Sequence, residues 1–343
     1  MFTQAYNAQQ TIGRAIESIQ NQTYGDFMYY VLDNGSTDDT GDVVMEYASK
    51  DERIRLIRIN INDVTNGSPF VYTLLCETSA KYLAMCDADD TYSPDFLEKM
   101  IEFMEENRLD IASCGYQTLD GKTGEIVKCR EIDKSLILVG DAFVDDFTKY
   151  RAFTLSVWAK LYSIPFLKKK GAVQTEKDYK SYKDCAFVLW LFQRAQKAGV
   201  YAKAMYQYYQ YPRSLAHQNV EENMQGHKIL YEATKSYLQS YGHISLLNED
   251  FLHAIHLSLV DEAVNNVILS DIATDAKLRC LLTVFDDTVW RETMARDADP
   301  QFRNLAARPK FVSEIGQKIL ALPGVEKYGK QLKLVLQHLQ SNA

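Results

Sequence analysis

The sequence predicts an α/β protein, with a mainly parallel sheet flanked by helices and a smaller α-helical subdomain after it. In the first part of the chain, short β-prone runs alternate with amphipathic helical patterns, which is typical of βαβ units. After about Pro212, helical patterns follow one another with hardly any β-branched alternation. We therefore expect a first domain over residues 1–215 and a helical subdomain over residues 216–343.

The predicted strands of the first domain are short runs of apolar residues, one of them alternating with arginines. They are Tyr29–Leu32, Ile54–Ile59, Tyr82–Cys86 and Ile111–Cys114. Each run has the length of an ordinary strand, and helical patterns separate them.

Two helical patterns in this domain have a clear apolar face. The first repeats at i, i+3, i+4 and i+7, with Ile12, Ala15, Ile16 and Ile19. Before the second, Ser93-Pro94-Asp95 has the features of a helix start, namely an N-cap serine and a proline at the first helical position. The buried stripe of that second helix is predicted to be Leu97, Met100, Ile101 and Met104.

In the C-terminal part, one amphipathic helix is predicted around Phe251 to Leu259, and another ends near Ile319 to Leu322. Two functions stay open for this region: homodimerisation through its helices, and docking of the acceptor. His253 and His256 lie one helical turn apart; without further ligands nearby, they are expected on the helix surface or in the core rather than at a metal.

The composition favours a cytoplasmic globular protein. Apolar residues make up 46% and the net charge is −8, which argues against a nucleic-acid partner. No apolar run is long enough to cross a bilayer, and residues 1–4 lack the features of a signal peptide. The six cysteines are expected to be buried free thiols. The run Lys168–Lys170 is expected to be solvated, or to contact anionic lipid at a membrane.

Two acidic segments directly follow predicted strands, where an open parallel sheet binds ligands. In Asp87-Ala88-Asp89-Asp90, three carboxylates lie within four residues and repel one another. A divalent cation such as Mg²⁺ or Mn²⁺ would remove that repulsion; the alternative is a solvated acidic turn. Asp33 opens the other segment, Asp33 to Asp38. Its carboxylate could accept the imide N–H of uracil, and Gly35 allows a tight turn with backbone N–H groups facing a ligand. The alternative is a β-turn that caps the next helix.

A third acid, Asp184, opens a strongly apolar helical pattern. The helix dipole alone explains an acid in a first turn, and the functional alternative is a general base at the edge of a cleft. Gly121-Lys122-Thr123 lacks the earlier glycine of a phosphate-binding loop and is expected to form a hairpin turn.

The order of these motifs resembles the family 2 glycosyltransferases of the GT-A fold, over roughly residues 1–215. The motifs are Ala5-Tyr6-Asn7, Asp33 to Asp38, Asp87 to Asp90 with Pro94, and Lys183-Asp184. The resemblance implies that Ala5, Tyr6, Asn7, Asp33 and Gly35 bind the nucleotide, and that Asp87 lies toward the ribose and sugar. It further implies that Asp89 binds Mg²⁺ or Mn²⁺ and that Asp184 deprotonates the acceptor hydroxyl.

The sequence also departs from the family's pattern. Asn34 replaces the usual second acid, Lys183 replaces the usual glutamate before the base, and the first strand is short. The Arg-Asn pair usual before the D-x-D strand is missing, and Asn66 to Phe70 stand there instead. Arg213 or His217 could contact the diphosphate.

The resemblance implies metal-dependent, inverting transfer of a sugar from a nucleotide-sugar, with a UDP-sugar as the first choice, to a glycan or glycoconjugate. This would be a step of bacterial surface polysaccharide or glycoprotein glycan assembly, at the inner face of the membrane if the protein binds lipid. Two alternatives stay open: a non-catalytic binding protein of the same fold, and a metal-dependent nucleotidyltransferase.

Overall fold

The computed structural model describes residues 1–62, 67–170, 183–211, 226–242, 244–297 and 301–340. The chain divides into two compact units. The first combines Met1–Lys177 with Trp190–Tyr211, and the second combines Asp178–Leu189 with Pro212–Ala343. The boundary predicted at residue 215 lies outside the described residues, and Asp184 groups with the second unit.

Three parallel strands begin the first unit: β1 (Phe2–Ala5), β2 (Tyr29–Asn34) and β3 (Ile54–Ile59), with β2 in the centre. Helices α1 (Ile12–Gln20) and α2 (Thr40–Lys50) connect them. β1 is also joined to the next part of the chain by a parallel bridge between Phe2 and Met85. This arrangement brings the carboxyl ends of β1 and β2 and the segment after Met85 to one edge.

The remaining strands of the first unit form a second, seven-stranded sheet, and helices connect them. In chain order they are α3 (Gly67–Glu77), β4 (Tyr82–Leu83), β5 (Thr91–Tyr92), α4 (Phe96–Asn107), β6 (Ile111–Asp120), β7 (Ile126–Arg130), β8 (Leu136–Val139), α5 (Ala142–Asp145), α6 (Phe147–Tyr150), a 3₁₀ turn (Arg151–Thr154), β9 (Lys160–Ser163), α7 (Ile164–Lys170), α8 (Lys183–Arg194), which continues from the second unit, and β10 (Lys197–Gln210).

The predicted α/β class is confirmed, but the second sheet is mixed rather than mainly parallel. Its strand order is β4-β9-β6-β10-β5, with β7 added to β6 and β8 added to β10. β6 and β10 are parallel, whereas β7 and β9 pair antiparallel with β6, and β5 and β8 pair antiparallel with β10. One of these antiparallel pairs has a local cause: residues 121–125 close a β6–β7 hairpin, as predicted for Gly121-Lys122-Thr123, and a hairpin forces its strands to be antiparallel.

Helix packing follows the predicted pattern in α1, and differs at the start of α4. All four predicted apolar residues of α1 are fully buried. The predicted N-cap of α4 at Ser93 is wrong, because the helix begins at Phe96 with Asp95 as its N-cap. The backbone N–H of Ser93 donates to the carbonyl oxygen of Met205 at 3.0 Å, so pairing with β10 holds this residue outside the helix.

Gly115 is the point at which three strands approach one another most tightly. A Cβ atom there would lie 2.2 Å from the carbonyl oxygen of Arg130 in β7, and 3.0 Å from the backbone of Ala204 in β10. Backbone atoms cannot rotate away as a side chain can, so this position of β6 requires glycine.

The described part of the second unit is helical, as predicted. It includes the first part of α8, a helix that continues into the first unit. Its other helices are α9 (Gly226–Gln239), α10 (Leu246–Leu269), α11 (Thr274–Phe285), α12 (Thr288–Ala295), α13 (Arg303–Ala306), α14 (Arg308–Leu320) and α15 (Gly329–Gln340), with a 3₁₀ turn at Val325–Tyr328. α10 contains the predicted run Phe251 to Leu259, and α14 ends at Leu320. Throughout the described ranges, no helix combines the length and apolar composition needed to cross a bilayer.

The cysteine prediction is partly wrong. All six are free thiols, and Cys86, Cys114, Cys185 and Cys280 are buried as expected, but Cys76 and Cys129 are exposed. Cys129 lies on β7, whose residues are mostly exposed because β7 adds to the end of β6 as a hairpin arm.

Two histidines of α10 lie in the core of the helical unit. His253 and His256 both place Nδ1 within hydrogen-bond distance of the Thr293 hydroxyl, at 2.8 and 3.0 Å. Burial lowers the pKa of His253 from 6.5 to about 4. Burial and the neighbouring His227 and His253 lower the pKa of His256 to about 3. Both side chains are therefore neutral in the folded unit at neutral pH.

This burial predicts that acid destabilises the helical unit. Below pH 6.5 His253 and His256 become protonated in the unfolded chain, whereas in the folded unit their lowered pKa values keep them neutral. The free energy of unfolding should therefore fall between about pH 6.5 and about pH 4, by up to about 1.4 kcal/mol per pH unit for each histidine. Thermal unfolding followed by circular dichroism across this range measures the slope.

The matched variants are His256→Gln, which removes one of the two titrating groups, and His338→Gln, which changes a partly exposed histidine of α15. We expect a shallower pH slope in His256→Gln and the parent slope in His338→Gln. A slope that stays the same in His256→Gln would contradict the assignment.

Candidate functional site

The predicted nucleotide-binding residues of β1 and β2 meet at one sheet edge. Ala5 and Asp33 are register partners at the carboxyl ends of the two parallel strands. Ala5 is buried in the sheet, whereas Tyr6 directly after it is 45% exposed. The parallel bridge from Phe2 to Met85 brings the acidic segment after Cys86 to the same edge. Three of the four predicted motifs therefore lie together.

Hydrogen bonds join the loop after β1 to the loop after β2. Asn7 has a left-handed backbone, with φ of 48°, and its backbone N–H donates to the Ser36 hydroxyl at 3.0 Å. The side-chain oxygen of Asn7 accepts from the backbone N–H of Thr37 at 2.9 Å. Asparagine is one of the few residues that readily adopts this backbone, so Asn7 suits both tasks. The two loops therefore form one fixed wall of the edge.

Asp33 is nearly buried at the end of β2, and one of its oxygens holds the following turn. Oδ1 accepts from the backbone N–H of Ser36 at 3.0 Å, and Oδ2 lies 3.9 Å from Nε of Arg58. A Cβ atom on Gly41 would lie 2.5 Å from Oδ2, so glycine in α2 makes room for the carboxylate. The turn-capping alternative is thus present in the structure, together with a carboxylate at the predicted edge.

Gly35 occupies a position that other residues would strain. Its φ is 77°, and a Cβ atom would lie 2.7 Å from the backbone nitrogen of Asn62. The tight turn predicted at Gly35 therefore brings the loop after β2 against Asn62, a few residues after β3.

The acidic segment begins where the bridge to β1 ends. Cys86 donates its backbone N–H to the carbonyl oxygen of Phe2 at 3.0 Å, and Asp87 comes next with an exposed side chain. Asp89 is partly buried, and burial raises the pKa of its carboxyl, while the charge of Arg14 opposes the rise. The two acids of the D-x-D motif thus differ in environment, with one in solvent and one partly desolvated.

Asp90, which the sequence analysis did not assign a role, is the fully buried acid of the segment. Its Oδ2 accepts from the Tyr206 hydroxyl at 2.6 Å, and its Oδ1 accepts from the backbone N–H of Tyr209 at 2.8 Å. The Tyr206 hydroxyl in turn accepts from the backbone N–H of Asp87 at 3.2 Å. Burial, followed by the charges of Asp87 and Asp89, raises the pKa of the Asp90 carboxyl. Asp90 therefore anchors the D-x-D segment to β10.

An aromatic stack supports this anchor. The ring of Trp158 lies parallel to Tyr206, with centroids 4.5 Å apart, and also stacks on Tyr208 at 5.6 Å. Burial and the charges of the three neighbouring acids raise the pKa of Tyr208 to about 12. Tyr206 is fully buried, and Trp158 and Tyr208 pack against the same hydrophobic core, so the stack is part of the interior of the first unit.

Arg14 is a second residue that sequence reasoning missed. From α1 it donates Nη2 to the carbonyl oxygen of Asp89 and to the Tyr211 hydroxyl, and its guanidinium lies over the ring of Tyr209. The signal in the sequence was weak: one basic residue beside the apolar face of an amphipathic helix, a pattern found on many solvent-exposed helices.

The remaining predicted residues lie in the second unit or outside the described residues. Asp184 lies in the first turn of α8, in the second unit, and is exposed. Its role as a base stays a prediction. Arg213, His217 and Asn66 lie outside the described residues.

The described residues fit a metal held by few protein ligands. They contain no group of three or more histidine, cysteine or acidic side chains placed to hold a cation. Asp89 offers one hard oxygen ligand with a partly desolvated charge. Magnesium and manganese commonly bind through one or two carboxylates together with substrate phosphates. The site therefore suits a cation that arrives with a phosphorylated ligand.

Comparison with known proteins gives a consistent result. The family described as Glycosyl transferase family 2 matches residues 2–171. EpsJ of Bacillus subtilis, an uncharacterized glycosyltransferase, is 24% identical over 250 residues, which cover 71% of each chain. Further curated relatives are matched over only 15–56% of their own length.

Two solved structures share the fold. Residues 1–349 of Staphylococcus aureus TarS, in complex with UDP-GlcNAc, give a TM-score of 0.56 at 16% identity, covering 99% of this chain and 90% of that one. The mannosyltransferase PcManGT of Pyrobaculum calidifontis, in complex with GDP-Man and Mn²⁺, gives 0.53 at 13% identity, covering 99% and 85%. This likeness confirms the predicted GT-A type of α/β fold with a helical C-terminal region.

The anchor predicts different effects for two neighbouring acids. Asp90→Ala leaves the Tyr206 hydroxyl and the Tyr209 N–H without their acceptor, so the free energy of unfolding should fall by about 2–5 kcal/mol. Asp87→Ala removes an exposed carboxylate whose charge raises the pKa of Asp90, so stability should stay the same or rise by up to about 1 kcal/mol. Urea unfolding curves measure both; equal losses in the two variants would contradict the anchor.

Proposed function

We propose that this chain, whose residues 2–171 match glycosyl transferase family 2, transfers a sugar from a UDP-sugar to a hydroxyl of a glycan or glycoconjugate. Transfer inverts the anomeric configuration and requires Mg²⁺ or Mn²⁺. The observation that carries this proposal is the partly desolvated carboxylate of Asp89, at the same sheet edge as Asp33.

The wall formed by the loops after β1 and β2 is the proposed nucleotide site. Tyr6 exposes nearly half of its surface there and can pack its ring against a base. The Asp33 carboxylate is held in place by Ser36 and can accept the imide N–H that uracil carries. Asp87, exposed at the start of the acidic segment, is placed for the ribose and sugar hydroxyls. Proteins of this fold bind different nucleotides, since TarS is in complex with UDP-GlcNAc and PcManGT with GDP-Man, so the choice of uridine rests on Asp33.

Asp89 is the proposed protein ligand of the metal. A bound divalent cation would neutralise the negative charge that grows on the departing diphosphate. Asp89 contributes an oxygen ligand from a loop that is fixed to β10 through Asp90. The complex of PcManGT with Mn²⁺ supports a divalent metal in this fold.

Asp184 is the proposed base. It is an exposed carboxylate in the first turn of α8, so it can accept a proton from the acceptor hydroxyl as that oxygen attacks the anomeric carbon. Attack from the face opposite the leaving diphosphate inverts the configuration. A cytoplasmic location, peripheral membrane contact through Lys168 to Lys170 and homodimerisation through the C-terminal helices stay predictions.

The direct test is turnover of UDP-sugars with Mn²⁺, with and without candidate glycan acceptors. UDP release that needs the metal supports the proposal. Metal-dependent UDP binding without turnover of any donor would favour the non-catalytic alternative, and release of pyrophosphate from a nucleoside triphosphate would favour the nucleotidyltransferase.

Removing the metal ligand should abolish metal-dependent donor binding. Asp89→Ala deletes the proposed oxygen ligand, so we expect the calorimetric affinity for UDP in Mn²⁺ to fall by about tenfold or more. Asp26→Ala, which removes an exposed acid of the same unit, is the control and should bind UDP as the parent does. Unchanged affinity in Asp89→Ala would remove that residue from the metal site.

Removing the base should separate binding from transfer. Asp184→Asn keeps the size of the side chain but cannot take the proton, so transfer should fall by about 100-fold or more while UDP affinity in Mn²⁺ stays the same. Single-turnover transfer and calorimetry measure the two quantities. Full transfer by Asp184→Asn would show that another group accepts the proton.

A further inference from the structure

The guanidinium of Arg14 makes three contacts with the chain around Asp89. Nη2 donates to the carbonyl oxygen of Asp89 and, at 3.3 Å, to the Tyr211 hydroxyl. Its Cζ lies 3.6 Å from the centroid of the Tyr209 ring, which is close enough for a cation–π contact. One side chain of α1 therefore connects the acidic segment to the end of β10.

These contacts use the shape of the guanidinium as well as its charge. The planar guanidinium can lie over the Tyr209 ring while one of its nitrogens donates, in the plane of the guanidinium, to Asp89 and Tyr211. A lysine ammonium at the same place would keep the charge but could not stack while making both hydrogen bonds. A role that depends on this geometry should therefore be lost in a lysine variant.

Arg14 complements the anchor made by Asp90. Asp90 fixes its own side chain to Tyr206 and Tyr209, whereas Arg14 fixes the backbone carbonyl of the preceding residue, Asp89. Because the carbonyl of Asp89 and the side chain of Asp90 are both held, the peptide that joins the two residues has little freedom to rotate. That peptide fixes the backbone of Asp89, and so the place from which its carboxylate extends.

We propose that Arg14 is a positioning residue for the metal, which holds the Asp89 carboxylate in the orientation that binds the cation of the donor complex. The inference rests on the proposed function, in which Asp89 is the metal ligand. Groups that orient a ligand without touching the metal commonly contribute 10–100-fold to metal affinity. Arg14 acts through the backbone of Asp89 and does not itself bind the cation.

The test compares two arginines of the first unit that have similar local contacts. Arg53 also lies over an aromatic ring, that of Phe27 at 4.5 Å, and also donates to a backbone carbonyl, that of Gln20 at 3.3 Å. Unlike Arg14 it also pairs with a carboxylate, that of Asp51, at 2.7 Å. Arg53→Lys is therefore a control for loss of stacking and of a backbone contact away from the acidic segment. The probe is UDP, titrated calorimetrically at a series of Mn²⁺ concentrations, which gives the Mn²⁺ concentration for half-maximal UDP binding.

We expect Arg14→Lys to raise that Mn²⁺ concentration by about tenfold or more, while UDP affinity at saturating Mn²⁺ recovers to within about threefold of the parent. Arg53→Lys should leave the Mn²⁺ requirement unchanged, even if both variants lower the melting temperature. A loss of stability alone would reduce UDP binding at every Mn²⁺ concentration and would not shift the requirement.

Tyr211→Phe provides a milder second variant. It removes a single hydroxyl that Arg14 contacts, and we expect a smaller rise in the Mn²⁺ requirement, of about two- to threefold. The inference is overturned if Arg14→Lys and Arg53→Lys need the same Mn²⁺ concentration. If Arg14→Lys does not fold, it is overturned when Tyr211→Phe needs the same Mn²⁺ concentration as the parent protein.

Asp89→Ala separates this inference from the proposed function. If UDP binding needs Mn²⁺ in the parent and loses that dependence in Asp89→Ala, the metal site stands, and the arginine variants alone decide the role of Arg14. If Asp89→Ala keeps the full Mn²⁺ dependence, the proposed function fails at its metal ligand, and the inference about Arg14 fails with it.

Discussion

The buried carboxylate of Asp90 is the constraint on which the arrangement of the site depends. Burying a carboxylate is costly, and the charges of Asp87 and Asp89 make ionisation of Asp90 harder still. The cost is offset by the Tyr206 hydroxyl and the backbone N–H of Tyr209, both of which donate to it. Because these donors come from β10, the acidic segment cannot move away from that strand without leaving a buried carboxyl and two buried donors unpaired. The acidic segment is thus as rigid as the sheet to which it is attached.

This rigidity explains why three acids in four residues do not behave alike. Asp90 is used entirely for structure, Asp87 lies in solvent, and Asp89 is left between them with a partly desolvated carboxyl. A cation lowers the electrostatic energy of all three, but the oxygen that suits it as a ligand is the one already partly stripped of water. The positive charge of Arg14 partly offsets the same repulsion before any metal binds. The fold therefore leaves one partly desolvated carboxylate in the acidic segment, and this is the ligand of the proposed cation.

The sequence was informative where function depends on position along the chain. Strand ends, the turn at Gly35 and the D-x-D acids could be placed because a parallel sheet brings the carboxyl ends of its strands together. Contacts between distant segments could not be predicted. Asp90 joins β10 across more than a hundred residues, and Arg14 reaches Tyr211 over an even longer separation. The start of α4 failed for the same reason, since pairing of Ser93 with Met205 overrode a local capping pattern. The mixed second sheet was not predicted because most of its antiparallel pairs join strands that are distant in the sequence, such as β6 with β9 and β10 with β5.

The proposed functional residues are divided between the two compact units, and this division has a physical consequence. The nucleotide wall and Asp89 belong to the first unit and are held by hydrogen bonds within it, whereas Asp184 belongs to the second. In the proposed function, donor and metal binding therefore depend on residues of the first unit alone, so altering the carboxylate of α8 should leave them unchanged. Removal of the acceptor proton would instead depend on a side chain of the second unit.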